Sequence, residues 1–552
     1  MSRSWRTLLK WASVTIFVAT GCVDPSENAP PGTLVVSQEQ AASWTRNFNP
    51  LLPSGTARWA ATACIYEPLF IFNTVTQEWV PRLAEQFEWV EEGTRLAFKI
   101  REGVQWSDGT PFGAEDVLYT FSLIREVSML DGGNVWSFID SIALREDGWI
   151  ELQFQRPYVP GLAQIAHQLI VPKHIFETVD SPETFSNPNP VGTGPFTEIL
   201  KFNQQVWDLG RNPYYWQTGK PAVEVLRFPA FPDNDQANIA LIRGEVDWAG
   251  NFVPAIDRIY VDRNPEHHHY WFPLISSTIF LYANTQKEGL EDIRVRQALS
   301  HAIERSRVTR VGMYDYTQAA SPTGLSMGHS KWIHRELETR VDWTEHRPEK
   351  AVELLREAGL RQDKNDQWIL PSGEAFDLEI TVPAGWSDWV RSCQVMVQSF
   401  RDVGLQVRLV TRDFGAWLHA VQHGNFDLAM GWSQSGVTPY EFFKGLMSTE
   451  SVEPIGEMAG SNWHRFGSER ADELLERFES ISDPTEQTRI MNELQVLFTE
   501  SVPAIPLFPG PAWGAFNNSR FTGFPSAENP YAVLSPNRPP ESLLVLTELV
   551  PR

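Results

Sequence analysis

The sequence predicts an α/β protein with more than one structural unit. Segments in which apolar and polar residues alternate, typical of strands, are interspersed along the chain with segments of helical periodicity. The chain has 552 residues, of which 42% are hydrophobic, so it can bury substantial cores. A single core stops growing near about 250–300 residues, and we therefore expect two or three units.

Strands are predicted by alternating patterns at residues 96–100, 376–382 and 405–410. Between the last two strands, apolar residues recur on one helical face, at Val390, Cys393, Val397 and Phe400. This helix is followed by Gly404 and then by the strand at Leu405. The order is typical of one α/β unit of an open sheet.

Two further helices are indicated by their ends. A helix over 347–358 stops at Gly359, a residue that favours the left-handed conformation of a helix C-terminus. Another helix, over 485–498, follows Asp483-Pro484, which supplies an N-cap and a first-turn proline. Stretches rich in proline and glycine at 187–195 and 503–511 divide the chain into blocks.

The N-terminus has the layout of a secretory signal. Arg3, Arg6 and Lys10 precede a short apolar run over 11–19, which is too short to cross the ~30 Å hydrocarbon layer of a membrane. The run leads into Ala19-Thr20-Gly21-Cys22, which resembles a bacterial lipobox. We expect residues 1–21 to be a signal peptide and 22–32 to be a tether that is lipid-anchored at Cys22, although an ordinary signal with an incidental cysteine is the alternative.

Charge and composition exclude several classes of protein. The formal net charge is −23, with 46 basic and 69 acidic side chains, so no nucleic-acid partner is expected because nucleic-acid binding rests largely on Lys and Arg. Apart from Cys22, the chain has only Cys64 and Cys393. We expect both to be buried free thiols, with a disulfide between them as the alternative.

Neither a metal site nor an enzyme active site is predicted. The run His267-His268-His269 lacks a spaced acid or thiol, and consecutive residues cannot all point at one ion. No G-x-S-x-G elbow, H-E-x-x-H helix or phosphate loop is present. An extracellular hydrolase is therefore a remote alternative, with Asp233 and Asp235 in a solvated turn, and no cofactor is expected.

Several motifs in order resemble the family-5 extracellular solute-binding proteins of ABC importers. The strongest runs from residue 96 to 111, LAFKIREGVQWSDGTP, and it is followed by VGTGPF at 191–196, NPYYW at 212–216 and VRQALSHAIER at 295–305. The resemblance implies a two-lobed periplasmic-binding-protein fold of type II with an extra inserted subdomain. It also implies a ligand cleft between lobes that are joined by hinge strands.

The resemblance further implies a domain organisation and a mode of action. We expect lobe I from 33–65, 190–280 and 505–552, an inserted subdomain of lobe I over 66–189, and lobe II over 281–504. The protein would be a monomer in the periplasm or at the cell surface, would close on its ligand and would dock on the transmembrane permease of an ABC importer. No bond is made or broken in that role.

The segments expected at the cleft indicate the class of ligand. Peptide-binding relatives hold the ligand's ammonium group with an aspartate, because a buried cation needs a counter-ion. The matching position here is Ser435. Other segments, at 247–252, 269–273, 383–386 and 513–516, resemble the branch that binds cello- and chito-oligosaccharides. An oligopeptide remains the alternative ligand, and a nickel chelate a remote one.

A β-linked sugar requires aromatic platforms for its flat C–H faces and amide or hydroxyl groups for its edges. Of the 22 tryptophans, the best candidates for platforms are Trp386 and Trp513, followed by Trp432 and Trp248. The candidate polar groups are Asn251, Asn49, Ser433 and Ser435. Each tryptophan also has the alternative of being an ordinary core residue.

Overall fold

The computed structural model describes residue 30 and residues 32–38, 40–52, 60–275 and 277–552. The predicted signal peptide, Cys22 and most of the tether lie outside the described residues. The described residues form three larger sheets, of seven, five and four strands, and three short strand pairs. The helices lie against these sheets.

A seven-stranded mixed sheet forms the first unit. Its central strand, Thr33–Ser37, is buried along its whole length and pairs in parallel with a strand on each side. Its continuous apolar sequence suits a strand that is covered on both faces. The strand order is His268–Tyr270, Ala515–Asn517, Trp248–Ala249, Thr33–Ser37, Val225–Pro229, Val206–Arg211 and Phe196–Phe202.

A five-stranded sheet forms the second unit. Its order is Gln406–Arg412, Asp377–Pro383, Leu428–Trp432, Thr278–Ala283 and Ile505–Pro509. The first two strands are parallel and are connected by the helix Ser387–Asp402. The predicted α/β unit is therefore present, because parallel neighbours need a crossover connection.

A four-stranded antiparallel sheet is formed by the part of the chain between the strands Thr33–Ser37 and Phe196–Phe202. Its order is Ala84–Glu91, Arg95–Ile100, Trp149–Phe154 and Ile139–Leu144. The helix Ala114–Glu126 packs against it. Three short pairs complete the strands: Phe70–Asn73 with Glu78–Pro81, Arg361–Gln362 with Trp368–Ile369, and Phe521–Thr522 with Val550–Pro551.

The remaining α-helices surround these sheets. Their bounds are Gly161–Ala166, Lys173–Phe176, Asn234–Ile242, Ile256–Ile259, Ile293–Ala302, Arg305–Arg307, Leu337–Arg340, Pro348–Glu357, Phe414–Gln422, Tyr440–Met447, Glu469–Glu479, Pro484–Ser501 and Ser542–Leu546. The helices predicted from Gly359 and from Asp483-Pro484 are both found, and Asp483 accepts a hydrogen bond from the amide of Glu486 as an N-cap.

The two larger sheets share one antiparallel ribbon, which we call the crossing ribbon and which comprises the described residues 268–275, 277–283 and 505–517. Between the sheets its two chains remain hydrogen-bonded, from Trp271 N to Gly514 O (2.9 Å), from Ala512 N to Pro273 O (3.0 Å) and from Gly510 N to Ser277 O (2.8 Å). The expected lobe boundaries placed 278–280 and 505–509 with the first lobe. The structure pairs both stretches within the five-stranded sheet, so these two boundaries shift by a few residues.

Gly514, in the crossing ribbon, packs closely against the main chain of Leu534, and a substitution can test this contact. A Cβ atom at Gly514 would lie 2.2 Å from the carbonyl oxygen of Leu534, and a backbone group cannot swing away as a flexible side chain can. We expect Gly514→Ala to lower the free energy of unfolding by about 1–3 kcal/mol, as other overpacked sites do, measured by urea denaturation.

The control for this substitution is Gly460→Ala, since a Cβ atom there would meet nothing within 4 Å. Equal denaturation midpoints for the two variants would contradict the close packing of Gly514 on Leu534.

Candidate ligand-binding cleft

Two adjoining cavities lie where the units meet. The larger has a volume of about 630 Å³ and is lined by residues of the region 72–167, of the five-stranded unit and of the C-terminal loop 538–541. The smaller has a volume of about 210 Å³ and lies against the crossing ribbon at Gly510, Pro511 and Ala512. Ser277 and Arg538 line both cavities, so the two are compartments of one cleft.

Aromatic rings form much of the smaller cavity. Trp386, Trp389 and Trp432 line it from the five-stranded unit. Trp386 directly precedes the helix Ser387–Asp402, and its ring centroid lies 6.1 Å from that of Trp432 and 4.7 Å from that of Trp389. Trp386 and Trp432 are both partly exposed. They therefore retain indole surface that a ligand can cover.

Trp513 faces this group from the crossing ribbon. Its ring packs edge-on against Phe252 (centroids 5.4 Å apart, planes at 76°) and against Phe272 (4.9 Å, 86°). These T-shaped contacts are favourable for aromatic rings and fix the plane of the indole. Trp513 is partly exposed and lines the smaller cavity. The structure thus brings together Trp386, Trp432 and Trp513.

Three of the predicted polar residues also line the cleft. Asn251 lies in the wall of the smaller cavity but is 2% exposed, and its amide nitrogen donates to Asn238 Oδ1 (2.7 Å). Ser433 lines the larger cavity, and its hydroxyl oxygen accepts from Thr278 N (3.1 Å). Ser435 lines the same cavity and is exposed. Ser435 is therefore the most available of the three.

Trp248 and Asn49 do not reach the cleft, which corrects the expectation for both. Trp248 is fully buried in the middle of the seven-stranded sheet, and its indole donates to Leu534 O (3.0 Å). Asn49 is fully buried as well, where its side chain donates to Phe185 O (2.8 Å) and accepts from Leu51 N (3.0 Å). The first is a core residue, and the second fixes a turn.

Asp388, the second residue of the helix Ser387–Asp402, is a cleft residue that the sequence patterns did not indicate. It lines the smaller cavity and is 3% exposed. Its Oδ1 accepts from Asn234 Nδ2 (3.3 Å) across the cleft, and burial raises the pKa of its carboxyl to about 6. Its position directly after the Trp386 motif was the available signal, but a single acid at a helix start is also a common stabilising feature.

The two sides of the cleft are in contact next to Asp388. The main-chain N–H of Asn234 donates to Gly385 O (3.2 Å). A Cβ atom at Gly385 would lie 2.8 Å from Pro232 O. Gly385 therefore permits the close approach of the helix Asn234–Ile242 to the turn that carries Trp386.

The larger cavity is bounded on one side by a polar interface between residues 156–164 and the five-stranded unit. Gln164 donates to Glu441 Oε1 (3.0 Å), and Val159 N donates to Glu479 O (2.7 Å). Glu479 also accepts from Tyr440 (2.5 Å) and pairs with Arg156. Burial raises the pKa of Glu441. This compartment is thus more polar than the tryptophan-lined one.

The histidine run and the cysteines lie away from this chemistry. His268 stacks on Tyr260 with centroids 4.1 Å apart, and in the described part of the chain no group of three or more candidate ligands could hold a metal ion. Cys64 and Cys393 are buried free thiols, as expected, and burial raises the pKa of each. Among the described residues, no helix is both long and apolar enough to cross a membrane.

Comparisons with known proteins agree on one family. The model of the bacterial extracellular solute-binding proteins, family 5 middle, matches residues 78–453, well over half of the chain. The dipeptide-binding protein of Escherichia coli K12 is 27% identical over 490 residues, covering 83% of this chain and 86% of that protein.

Solved structures with the same fold include a periplasmic oligopeptide-binding protein of Thermotoga maritima with bound mannohexaose. It is 25% identical, has a TM-score of 0.86 and covers 95% of this chain and 99% of its own. The oligopeptide-binding protein AppA of Bacillus subtilis, in complex with a nonapeptide, has a TM-score of 0.78 at 19% identity and covers 94% and 99% of the two chains.

Proposed function

Because this chain belongs to the family-5 bacterial extracellular solute-binding proteins, which serve ABC importers and are not enzymes, we propose that it captures an oligosaccharide, most simply a β-linked one of the cellobiose or chitobiose type. The observation that carries this proposal is the smaller cavity, where three partly exposed tryptophans meet neutral amide and hydroxyl groups. Indole faces match the C–H faces of a sugar ring, and the amides match its rim of hydroxyls.

The proposed mechanism is closure of the two lobes around the ligand. Trp386 and Trp432 belong to one lobe, whereas Phe252 belongs to the other and Trp513 to the crossing ribbon. A ligand that contacts both groups stabilises the closed state relative to the open state, and it shifts the equilibrium only by that difference in affinity. The closed complex would then present the sugar to the permease.

A second candidate ligand, an oligopeptide, is supported by two observations. The E. coli relative is named a dipeptide-binding protein, and Asp388 is a buried carboxylate in the cleft that could face an ammonium group. Against it stands Ser435, a neutral residue at the position where the resemblance to peptide receptors calls for an acid. The T. maritima relative, solved with mannohexaose, supports the idea that this fold accommodates a neutral sugar chain.

A tryptophan substitution distinguishes the two ligands. We expect Trp386→Ala to weaken the binding of cellobiose or chitobiose roughly 10- to 100-fold, because about 1.5–3 kcal/mol of apolar contact is lost. Isothermal titration calorimetry with a panel of cellobiose, laminaribiose, chitobiose and mixed peptides measures the effect. A peptide that is held mainly by its main chain would lose little affinity.

The matched control is Trp149→Ala, since Trp149 is also partly exposed but lies in the four-stranded sheet, outside both cavity walls. It should leave the affinity unchanged. Tight binding of peptides, together with silence of every sugar, would overturn the sugar assignment while leaving the transport role intact.

The lipid anchor is a separate proposal, supported by the sequence Ala19-Thr20-Gly21-Cys22. Two or more acyl chains suffice for stable membrane attachment. We expect mass spectrometry of the membrane fraction to find an N-terminal peptide that begins at an acylated Cys22, and a Cys22→Ser variant to remain unacylated. An unmodified N-terminus at another residue in the membrane-bound protein would contradict the anchor.

A further inference from the structure

Asp388 differs from the other charged residues of the cleft in its position. Of the described residues that line the smaller cavity, it is the one acid, and Arg538 is the one base. Trp386, two residues before Asp388, and Trp389, directly after it, line the same cavity. Asp388 therefore lines the same cavity as these two indoles.

The protein itself provides Asp388 with few hydrogen-bond donors. Its side-chain donor from another element is Asn234 Nδ2, at a long 3.3 Å, and the other groups that favour its ionised form are the amides at the start of its own helix and the more distant charge of Arg391. Within the described part of the chain it forms no ion pair. Buried carboxylates need such partners, because desolvation penalises the charged form.

Two other buried acids, Asp208 and Asp116, accept several hydrogen bonds from the protein. Asp208 receives two bonds of 2.8 Å from Arg227. Asp116, which forms no ion pair among the described residues, still accepts from Gly113 N (3.0 Å), Lys173 N (3.0 Å) and Trp106 Nε1 (3.2 Å). Apart from the amides of its own helix, Asp388 thus has one donor among the described residues, Asn234 Nδ2, and this bond is longer than those at Asp208 and Asp116.

Ligand hydroxyl groups would complete this set. An ionised carboxylate has two acceptor oxygens in one plane, which can accept from two neighbouring hydroxyls of one ring. Hydrogen bonds to a charged acceptor are stronger than those between neutral groups. Neighbouring hydroxyls on a flat ring, with the ring face on an indole, satisfy the carboxylate and the tryptophans together.

We propose that Asp388 is a specificity-determining residue of the cleft, whose ionised carboxylate accepts hydrogen bonds from two neighbouring hydroxyls of a neutral sugar ring stacked in the tryptophan-lined cavity. This inference rests on the proposed oligosaccharide function and names the group that reads the ligand's hydroxyls. In this role Asp388 accepts hydrogen bonds from a neutral ligand, whereas a counter-ion would balance the charge of a cationic one.

The proposal makes binding dependent on protons, and the direction follows from the environment. In the free protein, burial raises the pKa of Asp388 to about 6. Ligand hydroxyls favour the ionised form, so the pKa falls in the complex. Protons are therefore released on binding near pH 6, and affinity is full above that pH and declines as the pH falls through 6. Among the described residues, Arg391 acts on Asp388 from its own helix, Arg538 lines the same cavity, and Asp233 and Asp235 lie at the start of the helix that carries Asn234. Elements that pack against the helix of Asp388 also carry Arg310, Asp377, Glu379, Arg408 and Arg412.

Calorimetry of the full mature protein with cellobiose and chitobiose tests this, at pH 6 in two buffers of different ionisation heat. We expect the wild type to release a fraction of a proton per sugar bound. Asp388→Asn should abolish that release and weaken binding about 10- to 100-fold, since the amide replaces one acceptor by a donor. Asp235→Asn, at an exposed acid on the neighbouring helix, should behave as the wild type.

The contrary outcomes are distinguishable. If the wild type binds sugar without releasing protons and Asp388→Asn binds equally well, the role of Asp388 is refuted and the proposed function stands. If the wild type binds neither sugar and binds peptides instead, both fail. If glucosamine oligomers, which are cationic, bind more tightly than cellobiose and lose their binding in Asp388→Asn, the residue is a counter-ion and the inference is overturned.

Discussion

The crossing ribbon is the constraint on which the rest of the structure depends. Its two chains pair as His268–Tyr270 with Ala515–Asn517 in one sheet and as Thr278–Ala283 with Ile505–Pro509 in the other. Because main-chain bonds continue between the sheets, the two lobes are joined by one ladder and not by independent loops. A motion of the lobes must therefore bend or twist this ladder, and the residues at its middle respond to any such change.

The smaller cavity lies against the middle of this ribbon, through Ser277, Gly510 and Ala512. Trp513 belongs to the same stretch, and Phe252 and Phe272 hold its ring. Under the proposed function, a ligand that stacks on Trp513 would contact the crossing ribbon itself, and the same cavity is lined by residues of both lobes. In the proposed mechanism, recognition would be coupled to closure locally, because one of the proposed platforms is carried by the element that bends.

Much of this could be predicted from the sequence, for reasons that are local. Periodicity located the strands Asp377–Pro383 and Gln406–Arg412 and the helix between them, and the motifs around Trp386 and Trp513 identified cleft residues. The same reasoning failed for Trp248, because its two-residue strand lies inside a sheet, next to the central strand, and nothing local in the sequence distinguishes an indole that faces the core. Asp388 could not be predicted because its position in the cleft depends on distant residues, such as its hydrogen-bond partner Asn234, 154 residues away in the chain.

Asp388 differs from the other acidic residues of the chain that are solvated or paired with an arginine. A net charge of −23 is borne mainly by solvated side chains, and buried acids such as Asp208 and Glu67 are neutralised by Arg227 and Arg82. Keeping a carboxylate buried without an ion-pair partner destabilises the free protein relative to a neutral residue at that position, so packing alone does not account for it. The cost is offset if the ligand supplies the missing donors, because the same interaction then distinguishes a hydroxyl-bearing ring from an apolar one of equal shape.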